Sequence, residues 1–358
     1  MSSSQTHELS ISEASQLIKK KKLSPVDLVE DHIKRIETKD RHLNSFITKT
    51  FEKAREKANL CEQEIANGQR KGPLHGIPIG VKDLFYTKDT KTTIGSEIYK
   101  NFVPSFNATV VDKLESTGAI LLGKLNMHEF AFGTTGKNAI YGDCVNPWNT
   151  GKITGGSSSG SASAVAGGLC MGALGTDTGG SIRIPAALCG IVGLKPTFGR
   201  VSRRGVFPLS NSLDTVGPMT RTVEDARIML SVISGHDPKD KYSSKHGNDN
   251  LPVTPNTDLK DIKIAVPKDY FFDLLSEDVS KAIAETINVF KALGATVNEV
   301  RLPVLNHSLA ISSTILMAEA ANIHKQNLKN NPYQIGPDVR IRLQQGAMTL
   351  ATDYLEAQ

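Results

Sequence analysis

The sequence predicts an α/β layered fold, and three observations predict it. Helical and strand-like apolar patterns succeed one another from about residue 72 onward. The order helix then strand recurs, at 108–116 with 119–122 and again at 276–293 with 295–302. Between residues 155 and 205 lie 13 of the 30 glycines, a density that suits tight turns between packed elements.

Taken in order, the first 70 residues read as a helical segment. Ser10 with Glu13 has the form of a capping box opening a helix to about Lys20. Ser24-Pro25 supplies a second N-cap with proline at the first helical position. Val26, Val29, Ile33 and Ile36 then make one apolar stripe. A third, polar helix is expected over 51–65. Ile77, Ile79 and Val81 alternate as a short strand. Later come a strand at 262–266 and two further helices, near 309–328 and 338–356. The polar stretch 236–259 carries Pro, Gly, Asn and Ser and reads as a surface loop. The last helical pattern runs into Gln358 without a stop signal, so the chain reads as truncated at its C-terminus.

Composition narrows the function. The 358 residues are 39% hydrophobic and 22% charged, ordinary values for a globular enzyme. A net charge of +5 is too weak to imply nucleic-acid binding, and the run Lys19 to Lys22 reads as a solvated helix end. No stretch has the length of apolar sequence a membrane helix needs, and residues 1–9 have no apolar leader pattern, so a cytoplasmic location is the expectation. Four cysteines without CxxC spacing read as buried thiols. Nine scattered histidines without HExxH give no metal site, and no cofactor motif is present.

The chemistry concentrates in Gly155-Gly156-Ser157-Ser158-Ser159-Gly160-Ser161 and in Gly175-Thr176-Asp177-Thr178-Gly179-Gly180-Ser181-Ile182-Arg183. The order predicted is serine loop, helix, short strand at 174–177, Gly-Gly-Ser turn, helix. Backbone N–H groups of Thr178, Gly179, Gly180 and Ser181 can converge where the next helix begins, a natural place to hold an oxyanion. Ser181 would then stand beside its own oxyanion hole. A serine needs a base, and no histidine lies near either motif. Lys82 closes the strand of Ile79 and Val81 on its opposite face. Poor solvation there would lower its pKa and let it accept a proton. Asp83 points the other way by the same alternation and is not its partner. Asp177 and Arg183 read as an ion pair of the scaffold, His128 and Cys189 as packing residues.

Two other motifs compete for the same residues. Gly156-Ser157-Ser158-Ser159-Gly160 fits G-x-S-x-G, but residues 147–152 before it are no strand. No phosphate-loop pattern exists. Ser181 also suits a plain helix cap, and Ser157 a Gly/Ser linker.

These motifs, with 125–130, 189–197 and 199–226 in the same order, make the chain similar to the amidase signature family over nearly its whole length. The resemblance implies one domain over 1–358, a single large mixed β-sheet with helices on both faces. It implies a Ser-cisSer-Lys triad: Ser181 the nucleophile, Ser157 the bridging serine after a cis peptide, Lys82 the base. It implies a small-molecule amide substrate, no cofactor and no membrane, with a homodimer as one option. Residues 203–209, 339–343 and 353–358 favour a stand-alone amidase. The alternatives are the glutaminase component of a tRNA-dependent amidotransferase, which works with a partner, and an inactive, truncated chain.

Overall fold

Ser10 and Ser24 do what their neighbours require. In the computed structural model, which describes residues 6–245 and 258–358, Ser10 and Glu13 form the capping box of α1 (Ile11–Lys19). Ser24 accepts the Val26 and Asp27 N–H groups at 3.0 and 3.2 Å, with Pro25 opening α2 (Pro25–Leu43). Val29, Ile33 and Ile36 are fully buried, and Val26 packs against them. Asn44, in the left-handed region at φ 51°, ends α2 and turns the chain into β1 (Phe46–Lys49). This strand lies inside the segment expected to be helical. Four residues carry little periodicity, and antiparallel pairing with β3 decides their conformation.

The order continues with α3 (Phe51–Ala66), β2 (Pro78–Lys82), α4 (Thr109–Ser116), β3 (Ile120–Leu125), α5 (Ser159–Ala166), β4 (Gly172–Asp177), α6 (Arg183–Leu188), β5 (Val192–Gly193), β6 (Thr215–Thr220) and α7 (Val223–Ile233). The later elements are β7 (Lys263–Pro267), α8 (Glu277–Ala292), β8 (Thr296–Val300), α9 (Ser308–Ile323), α10 (Lys325–Asn330), α11 (Pro337–Ala347) and α12 (Ala351–Ala357). The helix expected over 338–356 is two helices, although no Pro or Gly at 348–350 announces the break. The helix expected over 309–328 likewise divides at His324. Of the loop expected over 236–259, residues 236–245 contain no helix or strand, and 246–257 lie outside the described residues.

Contacts divide the chain into two compact units, 1–249 with 316–348, and 250–315 with 349–358. The first holds a six-stranded mixed sheet in the order β1-β3-β2-β4-β6-β5. β2 runs parallel to both neighbours, β3 and β4, while β4 pairs antiparallel with β6. Every residue of β2, β4 and β6 is buried, so both faces of the central sheet are covered. One core joins Ile33 and Ile36 of α2, Ala58 and Cys61 of α3, Ile120 and Leu122 of β3 and Val165 of α5. Each such aliphatic side chain contributes roughly 1.5–3 kcal/mol on burial. The second unit contains β7, α8 and β8, with the strands parallel in register from Lys263 opposite Thr296 to Pro267 opposite Val300. No helix among the described residues is long and apolar enough to cross a membrane.

Candidate active site

Lys82 is the last residue of β2, between two parallel neighbours, and none of it is exposed. Its Nζ donates to Ser157 Oγ at 2.8 Å and to Thr176 Oγ1 at 2.9 Å. Burial pushes its pKa down to about 7, while the charges of Asp214 and then Asp177 pull it back up. A large fraction of Lys82 is therefore an uncharged amine at neutral pH. Asp83 faces away, as strand alternation requires, and its Oδ1 lies 3.3 Å from Lys124 Nζ.

Ser157 enters from the loop before α5. The Gly156–Ser157 peptide is cis. A side chain on Gly156 would meet the Gly136 backbone nitrogen at 2.7 Å, so only glycine lets the two loop backbones approach this closely. The Ser157 carbonyl accepts the His128 N–H at 3.1 Å. Ser158 stitches the loop to β4: its Oγ donates to the Thr176 carbonyl at 3.2 Å and accepts the Thr176 N–H at 3.3 Å. Its backbone N–H donates to the Ser181 carbonyl at 3.2 Å. The two serine motifs are thus tied together through their backbones.

Ser181 is 7% exposed, whereas Lys82 and Ser157 are wholly buried, so the serine after the paired glycines is the one nearest solvent. The turn that carries it is organised by Asp177. Oδ1 accepts the Gly180 N–H at 2.7 Å, and Oδ2 accepts those of Ile182 and Arg183 at 3.2 and 3.3 Å. The Arg183 guanidinium grips the same carboxylate in two bonds of 2.9 Å. Burial opposes ionisation of Asp177, but Arg183 and the N–H donors hold its pKa below the usual carboxylate range. The pair is scaffold, as expected. One expectation is corrected: the Gly180 N–H is committed to Asp177 and is not free to hold an oxyanion. The N–H groups of Thr178, Gly179 and Ser181 find no acceptor among the described residues.

Sequence reasoning missed two further groups. Thr176 stood in the glycine-rich stretch without a role, yet it is the second acceptor of Lys82. Asp214 accepts the Thr178 hydroxyl at 2.6 Å and the N–H groups of Leu209 and Ser210 at 2.8 and 3.1 Å. Its signal was the Ser212-Leu213-Asp214 run, whose side chains carry no spacing relation to the turn. His128 and Cys189 are buried, His128 with its Nε2 2.9 Å from Asp338 Oδ2.

Away from this site, Cys61, Glu64 and His75 bring potential metal-ligand atoms within 4.8 Å of one another. The Lys71 N–H donates to His75 Nδ1 at 3.0 Å, which places the imidazole proton on Nε2, facing Glu64 Oε2 at 2.9 Å. A protonated nitrogen is no metal ligand.

The Amidase family profile matches residues 27–358. The chain belongs to the amidase family. It is 44% identical over 314 residues to the glutamyl-tRNA(Gln) amidotransferase A-subunit of Carboxydothermus hydrogenoformans, covering 88% of this chain and 65% of that protein. The protein of the same name from Geobacter sp. strain M21 is 40% identical, covering 98% and 76%. The chain therefore spans about two thirds to three quarters of the length of these relatives. Among solved structures, an s-triazine catabolic enzyme in a vestigial protein complex superposes with a TM-score of 0.92 at 34% identity, covering 98% of this chain and 76% of that one. The peptide amidase of Stenotrophomonas maltophilia gives 0.86 at 30%, covering 98% and 78%. The glutamyl-tRNA(Gln) amidotransferase A-subunit of Thermotoga maritima gives 0.80 at 35%, covering 98% and 73%. Amidase-family members share the mixed sheet and helices seen here. The sequence favours a stand-alone enzyme, whereas the Carboxydothermus and Geobacter relatives carry the name of one component of a larger enzyme.

Proposed function

We propose that this chain cleaves the C–N bond of a carboxylic amide through Ser181, with Ser157 as proton relay and Lys82 as base. The observation that carries the reading is the fully buried Lys82 amine, hydrogen-bonded to Ser157 at 2.8 Å and depressed to a pKa of about 7. In the first half-reaction the Ser181 oxygen bonds to the carbonyl carbon. Its proton passes to Ser157, whose own proton passes to Lys82. The carbonyl oxygen takes the negative charge and is held by the N–H groups of Thr178, Gly179 and Ser181. Such donors are typically worth roughly 2.7–4 kcal/mol each. Collapse breaks the C–N bond, and the proton returns through Ser157 to the departing amine. Water then attacks the acyl-serine by the same relay, which frees the acid and restores Ser181. No cofactor enters any step.

A second reading concerns the substrate. The relatives named for the glutamyl-tRNA(Gln) amidotransferase favour glutamine as the amide and an assembly that takes up the ammonia. The similarity to a peptide amidase favours independent hydrolysis of small amides in the cytoplasm. Glutaminase assays of the isolated chain, with a pull-down for co-purifying proteins, separate them. Turnover of simple amides without a partner supports the second of these. Glutaminase activity that appears only with a partner supports the first.

Fluorophosphonate labelling followed by peptide mapping tests the chemistry common to both. Label on Ser181, lost in Lys82→Met and Ser181→Ala, is the expected result. Label on another serine, or none, would overturn the assignment.

A further inference from the structure

The chain from Leu316 onward lies over the nucleophile turn. A side chain placed on Gly179 would meet Leu316 Cδ1 at 3.9 Å, ordinary contact distance. One helical turn along α9, Glu319 directs its carboxylate into the loop before β6. Oε2 accepts the Ser210 hydroxyl and, at 3.0 Å, the Ser212 N–H, while Oε1 accepts the Ser212 hydroxyl at 2.7 Å. Ser210 in turn gives its backbone N–H to Asp214 Oδ2, and Asp214 Oδ1 takes the Thr178 hydroxyl. Thr178 is the first residue of the turn that ends in Ser181. A continuous path of hydrogen bonds thus runs from Glu319 through Ser210 and Asp214 to Thr178. Each link pairs a carboxylate with a hydroxyl or amide donor, and bonds of that kind are roughly twice as strong as neutral ones.

We propose that Glu319 is a positioning residue for amide cleavage, fixing the 209–214 loop and, through Asp214 and Thr178, the placement of the Thr178 and Gly179 N–H donors. This rests on the hydrolase reading above. Glu319 touches no reacting atom. Its effect is geometric, and donors of this kind lose about a hundredfold in rate when displaced by roughly 1 Å.

The test compares wild type, Glu319→Ala, Glu319→Gln, Thr178→Val and the Glu319→Ala/Thr178→Val double variant. Three quantities are read: the rate of fluorophosphonate labelling at Ser181, kcat and KM on a simple amide, and the thermal melt. Glu319→Ala should slow labelling and lower kcat by about tenfold to a hundredfold with little change in KM. Glu319→Gln, which keeps the shape and one acceptor oxygen, should recover part of the loss. Because both changes cut one path, the double variant should be no slower than the slower single. Labelling at the wild-type rate per folded molecule, with only a lowered melt, would overturn the proposal, as would losses that multiply. Should Glu319→Ala fail to fold, Glu319→Gln against Thr178→Val decides by the same criteria. A wild type that takes no label at all sinks the hydrolase reading and this relay with it, a result distinct from normal labelling in every variant.

Discussion

Lys82 reaches from the end of β2 to within 2.8 Å of the Ser157 hydroxyl, and neither side chain is exposed to solvent. Water cannot compete for either partner. The protonation state of this one amine therefore governs whether the relay can start.

Activity on a simple amide should fall as pH drops through about 7, by roughly tenfold per pH unit below the break. The sign follows from burial, which favours the neutral amine down to that pH. Of the two charges that oppose burial, Asp214 acts more strongly than Asp177. Asp214→Asn should thus move the break to lower pH. A log(kcat/KM) profile from pH 5 to 9 checks both, and a flat wild-type profile down to pH 5 excludes a lysine base.

Thr176→Val removes one of the two acceptors of the Lys82 ammonium while keeping side-chain shape. A hydrogen bond to a charged group contributes about 1.5–3 kcal/mol. The ammonium loses more than the amine, so the break in the pH profile should again shift to lower pH. The plateau rate should also drop, because Nζ is less firmly aimed at Ser157. An unchanged profile would remove Thr176 from the site.

A second buried lysine serves as a control. Lys124 is also depressed, to about 8, by burial, but its partners are Asp83, the Phe85 carbonyl and Thr92. Lys124→Met strands the Asp83 carboxylate and should cost about 3–5 kcal/mol of stability. Lys124→Met with Asp83→Asn should recover part of it. Denaturant melts read the stability, and the folded fraction should keep wild-type turnover. Lys82→Met should do the reverse, staying folded and losing activity.

Gly160 lies where α5 meets the backbone of residues 45 and 126. A methyl group there would come within 2.4 Å of the Asn126 nitrogen and the Ser45 carbonyl oxygen. Neither atom belongs to a flexible side chain. Gly160→Ala should lose about 1–3 kcal/mol, visible as a lowered melting midpoint. A melt equal to wild type would show that α5 can move off the sheet.

Local chemistry made much of this legible. The caps of α1 and α2 need only three or four adjacent residues, and the alternation of Ile79, Val81 and Lys82 determines which face the lysine takes. What was missed depended on distant chain. β6 contains Gly217-Pro218, a dipeptide that reads as a turn, yet it is a buried strand paired with β4. Gly217 is needed because the Leu194 carbonyl would lie 2.1 Å from any Cβ there. Asp214 precedes that strand and reaches Thr178 only because β6 and β4 pair, with Asp177 opposite Thr215. The α7 stripe of Ala226, Leu230 and Ile233 obeys helical spacing and Thr222 caps it, so that element was readable from periodicity alone.

The central strands have a consequence for biosynthesis. β4, which carries Thr176 toward the lysine and leads into the Ser181 turn, is flanked by β2 on one side and β6 on the other. A nascent polypeptide lacking residues 215–220 has no neighbour for that edge. Its lysine stays hydrated and charged, and its serine is an ordinary alcohol. Reactivity is thereby withheld on the ribosome until the sheet can close over both partners, and no separate inhibitory segment is needed to keep the emerging chain inert.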